Sequence, residues 1–125
     1  MTNAKKKILI LEDEQFTLKL YTHLLAKAGY EVKATPQANE AVRLANDFKP
    51  DLFIIDLMLQ DGDGFSVIKE LHQTTIFKKT PVLVLSNLGQ ETDVSEAKKR
   101  GATAYLIKSN VRFEDILATV KKLLG

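Results

Sequence analysis

Five short apolar runs punctuate the chain, at residues 8–11, 31–35, 52–55, 82–85 and 104–107, and each is followed by a longer stretch in which apolar residues recur at helical spacing. Three of the runs, Ile-Leu-Ile-Leu, Leu-Phe-Ile-Ile and Val-Leu-Val-Leu, are apolar at every position. A strand with one wet face alternates, so a strand without alternation must be covered on both faces. Helices are therefore expected on both sides of a parallel sheet, and the intervening segments supply them. Phe16, Leu20 and Leu24 recur every four residues as the apolar stripe of the first helix, which Gly29 is placed to end in the left-handed conformation. Thr35-Pro36 reads as an N-cap followed by proline at the first helical position, opening a helix through Ala38, Ala41, Val42 and Ala45 that stops before Pro50. Asp63 is positioned to cap a helix over 65–71, Gly101 follows one over 91–100, and 113–124 carries a last amphipathic pattern. Five strand–helix pairs with right-handed crossovers predict an open, doubly wound α/β fold around a five-stranded parallel sheet, because a closed barrel of this kind takes about eight pairs.

Composition narrows the picture. A chain of 125 residues, about a third of them Leu, Ile, Val or Phe, is one domain with enough apolar side chains to bury a core. The net charge of +2 is too small to argue for nucleic acid or an anionic membrane. With no cysteine and two histidines, disulfides, thiolate chemistry and a histidine-rich metal centre are excluded. The run Lys5-Lys6-Lys7 resembles the start of a secretory signal, but the apolar stretch behind it ends at Leu11 before Glu12-Asp13-Glu14. No apolar run is long enough to span a bilayer, so a cytoplasmic location is expected. Residues 1–6 are expected to form a flexible leader, with the domain over 7–125.

In such a sheet the ligand crevice lies beyond the carboxyl ends of the strands, where the first residues after each run gather. Here these are Glu12, Asp13 and Glu14 after the first run, Asp56 after the third, Ser86 after the fourth and Lys108 after the fifth. Turns favour polar residues anyway, but acids on two strand ends, a hydroxyl on another and an ammonium on the last make a chemical set. Two carboxylates ~5 Å apart repel by about 3 kcal/mol at an effective dielectric near 20, so the site calls for cations beyond the one Lys108 supplies. Oxygen ligands without His or Cys favour Mg2+ or Mn2+, whose open positions suit a phosphate oxygen. Asp56, projecting alone, is the candidate nucleophile, with Lys108 and the Ser86 hydroxyl placed to hold the equatorial phosphoryl oxygens.

From Lys7 onward these residues resemble the receiver domain of two-component response regulators. The resemblance implies a flavodoxin-like (βα)5 fold with strand order 2-1-3-4-5. It implies that Glu12 and Asp13 are the acidic pair, Asp56 the phosphoacceptor, Ser86 the switch hydroxyl, Lys108 the invariant lysine and Tyr105 the aromatic that turns inward. Asp63-Gly64 also fits the pattern. By the same resemblance Mg2+ is held by Asp13, Asp56 and the carbonyl oxygen of Met58. The implied partners are a histidine kinase or histidine phosphotransfer protein and a downstream protein reached through a face around Val94, Ala97 and Tyr105. No output domain follows in the sequence, so a stand-alone regulator is expected, monomeric or dimerising on phosphorylation, with no direct nucleic-acid or membrane binding. It is expected to catalyse its own aspartyl phosphorylation and dephosphorylation without being a conventional enzyme.

Three positions depart from the family pattern. Ser109 follows Lys108 where proline, joined by a cis bond, is usual; Gln60 stands where proline is common; and Asn87 stands where a small residue follows the switch hydroxyl. Met58 and Leu88 flank the route of an attacking water and neither can orient it, so slow loss of the phosphoryl group is expected. The rival readings are a haloacid dehalogenase-like Mg2+ phosphohydrolase, which wants an acid where Met58 stands, a flavin or nucleotide binder, whose phosphate the acids after the first run would repel, and a receiver-shaped module insensitive to phosphorylation. Asp61-Gly62-Asp63-Gly64 does not match a calcium loop and reads as a tight turn, while Lys98-Lys99-Arg100, Lys121-Lys122, His23 and His72 read as solvated helix surface.

Overall fold

The structure, a computed structural model, describes residues 4–125; the first three residues of the expected leader lie outside the described residues. In chain order the elements are β1 (Lys7–Leu11), α1 (Gln15–Lys27), β2 (Glu31–Thr35), α2 (Ala38–Phe48), β3 (Leu52–Ile55), β4 (Met58–Leu59), β5 (Gly62–Asp63), α3 (Gly64–Gln73), β6 (Val82–Ser86), α4 (Glu91–Arg100), β7 (Ala104–Ile107) and α5 (Phe113–Leu124). Five strands form one parallel sheet in the order β2-β1-β3-β6-β7, the expected 2-1-3-4-5 when the sheet strands alone are counted. The short antiparallel hairpin β4–β5 stands outside that sheet, and the apolar pattern does not announce it.

Every residue of β1 after Lys7, and all of β3 and β6, is buried, and successive side chains go to opposite cores. Leu9, Leu11, Phe53, Ile55, Val82 and Val84 pack with α2, α3 and α4, while Ile8, Ile10, Leu52, Ile54, Leu83 and Leu85 pack with α1 and α5. The absence of alternation follows from there being two cores. Burying each Leu or Ile fully stabilises the fold by roughly 1.5–3 kcal/mol. Gly29 and Gly101 end α1 and α4 with φ of +107° and +127°, as expected of residues without a Cβ opposing that conformation.

Three local expectations need correction. On α1, Phe16 and Leu20 are 71% and 40% exposed, and the buried positions are Leu18 and Leu25. Uniform steps of four advance ~40° per step around a helix of 3.6 residues per turn, so the row 16, 20, 24 winds off the core face. Helix α2 starts at Ala38, because Thr35 stays in β2, paired with Leu11, and its hydroxyl accepts the Gln37 N–H at 3.2 Å. The N–H groups of Ala38 and Asn39 donate instead to the Asp61 carboxylate, at 2.9 and 3.3 Å. Ala97 is fully buried against the sheet, so it belongs to the core side of α4 and not to a surface. No helix among the described residues is long and apolar enough to cross a membrane.

Candidate functional site: an acidic pocket at the strand ends

Because β1, β3, β6 and β7 are parallel and in register, the residues just past their ends come together. Asp56 extends β3 next to Leu11 of β1, to whose carbonyl its N–H donates at 3.0 Å, and this sets it beside Glu12 and Asp13. Carboxylate oxygens of Glu12, Asp13 and Asp56 lie within 4.8 Å of one another. From the far edge Lys108 Nζ donates to Asp56 Oδ2 at 2.8 Å and to Glu12 Oε1. Glu12 and Asp56 are only 3% and 6% exposed, so these charges are largely out of water.

That burial shapes the titration. Burial pushes the Glu12 carboxyl above its ordinary value, against the opposing hydrogen bonds from Lys108 and the Glu14 N–H. Burial also disfavours the Lys108 ammonium, but the hydrogen bonds to Asp56 and Glu12 outweigh it and hold its pKa above the ordinary lysine value. One cation shared between buried acids leaves negative charge uncompensated, and three carboxylate oxygens clustered without nitrogen or sulfur donors suit Mg2+ or Mn2+.

The rest of the site is built from main-chain groups that the side-chain pattern does not display. Met58 N–H donates to Asp56 Oδ1 at 3.1 Å and Gln60 N–H to Asp13 Oδ2 at 2.8 Å, so the β4–β5 hairpin hangs from the acids themselves. The hairpin is stitched down at its other end by Gly64, whose N–H donates to Leu57 O at 3.1 Å. A Cβ at Gly64 would lie 2.3 Å from the Asp56 carbonyl oxygen, so only glycine allows α3 to begin this close to the end of β3. Asp63 caps α3 as expected, accepting from Ser66 N–H at 2.8 Å.

Ser86 is fully buried at the end of β6, and its hydroxyl accepts the Leu88 N–H at 3.3 Å. Tyr105 on β7 packs against the α2–α4 core, and its hydroxyl donates to the Leu88 carbonyl. Met58 is 55% exposed. Glu14 does not join the pocket: it is exposed and caps α1, accepting N–H bonds from Phe16 and Thr17 at 3.1 and 2.7 Å. After Lys108 the chain makes a short 3-10 turn, Lys108–Asn110, and no peptide bond among the described residues is cis.

The profile of the response regulator receiver domain family matches residues 8–121, nearly the whole chain. The chain belongs to that family. The polar-differentiation response regulator DivK of Brucella anthropi is 29% identical over 120 residues, an alignment covering 96% of this chain and 97% of the relative. The crystallised chemotaxis protein CheY4 of Vibrio cholerae superposes with a TM-score of 0.91 at 30% identity, over 97% of this receiver and 100% of that chain. The BeF3-activated N-terminal receiver domain of Klebsiella pneumoniae RstA gives 0.87 at 26% identity, over 95% and 98%. In this receiver two of the departures from the family pattern have a physical counterpart. Gln60 and Ser109 stand where proline is usual, and each uses the N–H that proline lacks, to Asp13 Oδ2 at 2.8 Å and to Asn87 Oδ1 at 2.9 Å.

Proposed function

We propose that this receiver accepts a phosphoryl group on Asp56 from a histidine kinase or histidine phosphotransfer protein, in a Mg2+-dependent reaction, and signals through a change in shape. The observation that carries this reading is the meeting of Asp56 with Glu12, Asp13 and Lys108 in one pocket. An Asp56 carboxylate oxygen forms a bond to phosphorus as the bond from phosphorus to the donor nitrogen breaks, and the nitrogen leaves with the electron pair. Glu12 and Asp13, with Asp56 and the Met58 carbonyl, would hold Mg2+ or Mn2+, which supplies positive charge against the incoming phosphoryl oxygens. Lys108, already bonded to Asp56, keeps an ammonium beside the reacting carboxylate and can pass to a phosphoryl oxygen once the acyl phosphate has formed. Ser86, whose hydroxyl oxygen accepts Leu88 N–H, still has its own O–H to donate to a phosphoryl oxygen, and a shift of that hydroxyl would pull on Leu88, the residue whose carbonyl Tyr105 holds. A local charge thereby reaches the surface next to Tyr105, where a downstream protein would read it.

The phosphohydrolase reading needs an acid two residues past the nucleophile, and Met58 has no side-chain proton to give there. The experiment is incubation with a small phosphodonor and Mg2+, read by intact mass. Wild type should gain one phosphoryl group and Asp56→Asn none; an unchanged wild-type mass sinks the proposal.

A further inference from the structure

The β6–β7 ladder ends at the pair Ser86 and Ile107, so the next residues along, Asn87 and Lys108, have no strand partner. One bond continues the ladder beyond that point. Ser109 N–H donates to Asn87 Oδ1 at 2.9 Å, the side-chain amide standing in for the backbone carbonyl that a longer strand would have offered. Because an N–H must meet an acceptor, the bond also fixes which way the Asn87 amide faces. It requires both residues: alanine at 87 has no acceptor, and proline at 109 has no donor.

Two consequences follow from the positions. Lys108 lies between Ile107, held in the ladder, and Ser109, held by Asn87, so its backbone is tied on both sides while its ammonium reaches Asp56 and Glu12. The segment after Ser86 is likewise tied, through Leu88 N–H to Ser86 Oγ, through the Leu88 carbonyl from Tyr105, and through Asn87 from Ser109. We propose that Asn87 and Ser109 form a clamp that positions Lys108 over Asp56 and joins its loop to the Ser86 loop, so that the two loops respond to phosphorylation as one body. Asn87 is in this sense a positioning residue, and the inference rests on the reading of Asp56 as phosphoacceptor.

The test is a double-mutant cycle of Asn87→Ala and Ser109→Pro, measuring the rate of phosphorylation by acetyl phosphate across a Mg2+ titration. Each single variant should slow the rate at saturating Mg2+ by roughly fivefold, the worth of one exposed hydrogen bond. The Mg2+ concentration at half-saturation, set by the acids, should stay put. The double variant should be no slower than the worse single one, and Ser109→Ala, which keeps the N–H, should restore the rate lost in Ser109→Pro. Multiplying effects, a wild-type rate in Asn87→Ala, or an equal loss in Ser109→Ala and Ser109→Pro overturn the clamp. Amide hydrogen exchange at Ser109 tests the bond itself in the unphosphorylated wild type: protection is expected, and free exchange refutes it. A wild type that gains no phosphoryl group while Ser109 is protected removes the phosphoacceptor reading and, with it, the positioning role, leaving only a structural bond.

Discussion

Asp56 and Glu12 share a single ammonium, and that imbalance sets what substitutions at the pocket do. Carboxylate oxygens within 4.8 Å repel by about 3 kcal/mol at an effective dielectric near 20, part of which Lys108 offsets. Asparagine at 56 removes one charge at the cost of one acceptor, since its single carbonyl oxygen can serve Met58 N–H or Lys108 but its NH2 can serve neither. Asp56→Asn should therefore raise the stability of the metal-free protein by about 1 kcal/mol, seen as a higher urea midpoint with unchanged slope, while abolishing phosphorylation. A lower midpoint would mean that Lys108 pairing outweighs repulsion. Glu14 illustrates the opposite sign. Hydrogen bonds from the Thr17 hydroxyl and Thr17 N–H hold its carboxyl below the ordinary 4.5. A group whose folded pKa is depressed contributes stability that is complete above its unfolded value and is lost as pH falls through the folded one. The start of α1 should loosen only below pH 4.5, visible as faster exchange of the Phe16 and Thr17 amides, and Glu14→Gln should remove that pH dependence.

Three helices of this fold, α1, α2 and α3, begin where a carboxylate accepts their first N–H groups, and that carboxylate can lie far away in sequence. Glu14 and Asp63 cap α1 and α3 from the adjacent position, whereas α2 takes its cap from Asp61, 23 residues beyond Ala38. Asp61→Ala should cost about 1–2 kcal/mol, in the range of lost N-caps, and hydrogen exchange should accelerate at Ala38 and Asn39 while α3 stays protected. Uniform destabilisation without a local signature at α2 would refute the assignment. The same bond explains part of why the β4–β5 hairpin is placed as it is: Asp61 ties its turn to α2 as Asp13 and Asp56 tie its flanks to the pocket. The turn chemistry of Asp-Gly-Asp-Gly is legible in the sequence, but its attachment to another helix is not, since nothing in one segment records the position of the other.

At the scale of the whole molecule, the sheet brings charges that are 44 and 96 residues apart into one pocket, from Glu12 to Asp56 and from Glu12 to Lys108. Folding thus assembles a cation site that the unfolded chain lacks, and any cation held there stabilises the folded state by mass action. Mg2+ or Mn2+ in hundredfold excess over its dissociation constant should add about 2.7 kcal/mol, raising the melting temperature by several degrees for a domain of this size. The double variant Asp13→Asn, Asp56→Asn should lose that increment. An equal rise in wild type and variant would show that the ion acts elsewhere.

The repeat of apolar runs and helical stretches is enough to specify strands buried on two faces, helices on both sides, and hence a crevice at the strand ends, because periodicity and burial are coupled along each segment. Asp56, Ser86 and Lys108 stand out on the same ground, being polar residues at the ends of apolar strands. Which face of α1 is buried, where α2 begins, that Glu14 caps a helix instead of joining the pocket, and that Gln60 and Ser109 lend their N–H groups to Asp13 and Asn87 were settled by packing and register. Those features depend on distances between segments, and main-chain donors are the same in every residue but proline, so no side-chain pattern can mark the ones that will be used.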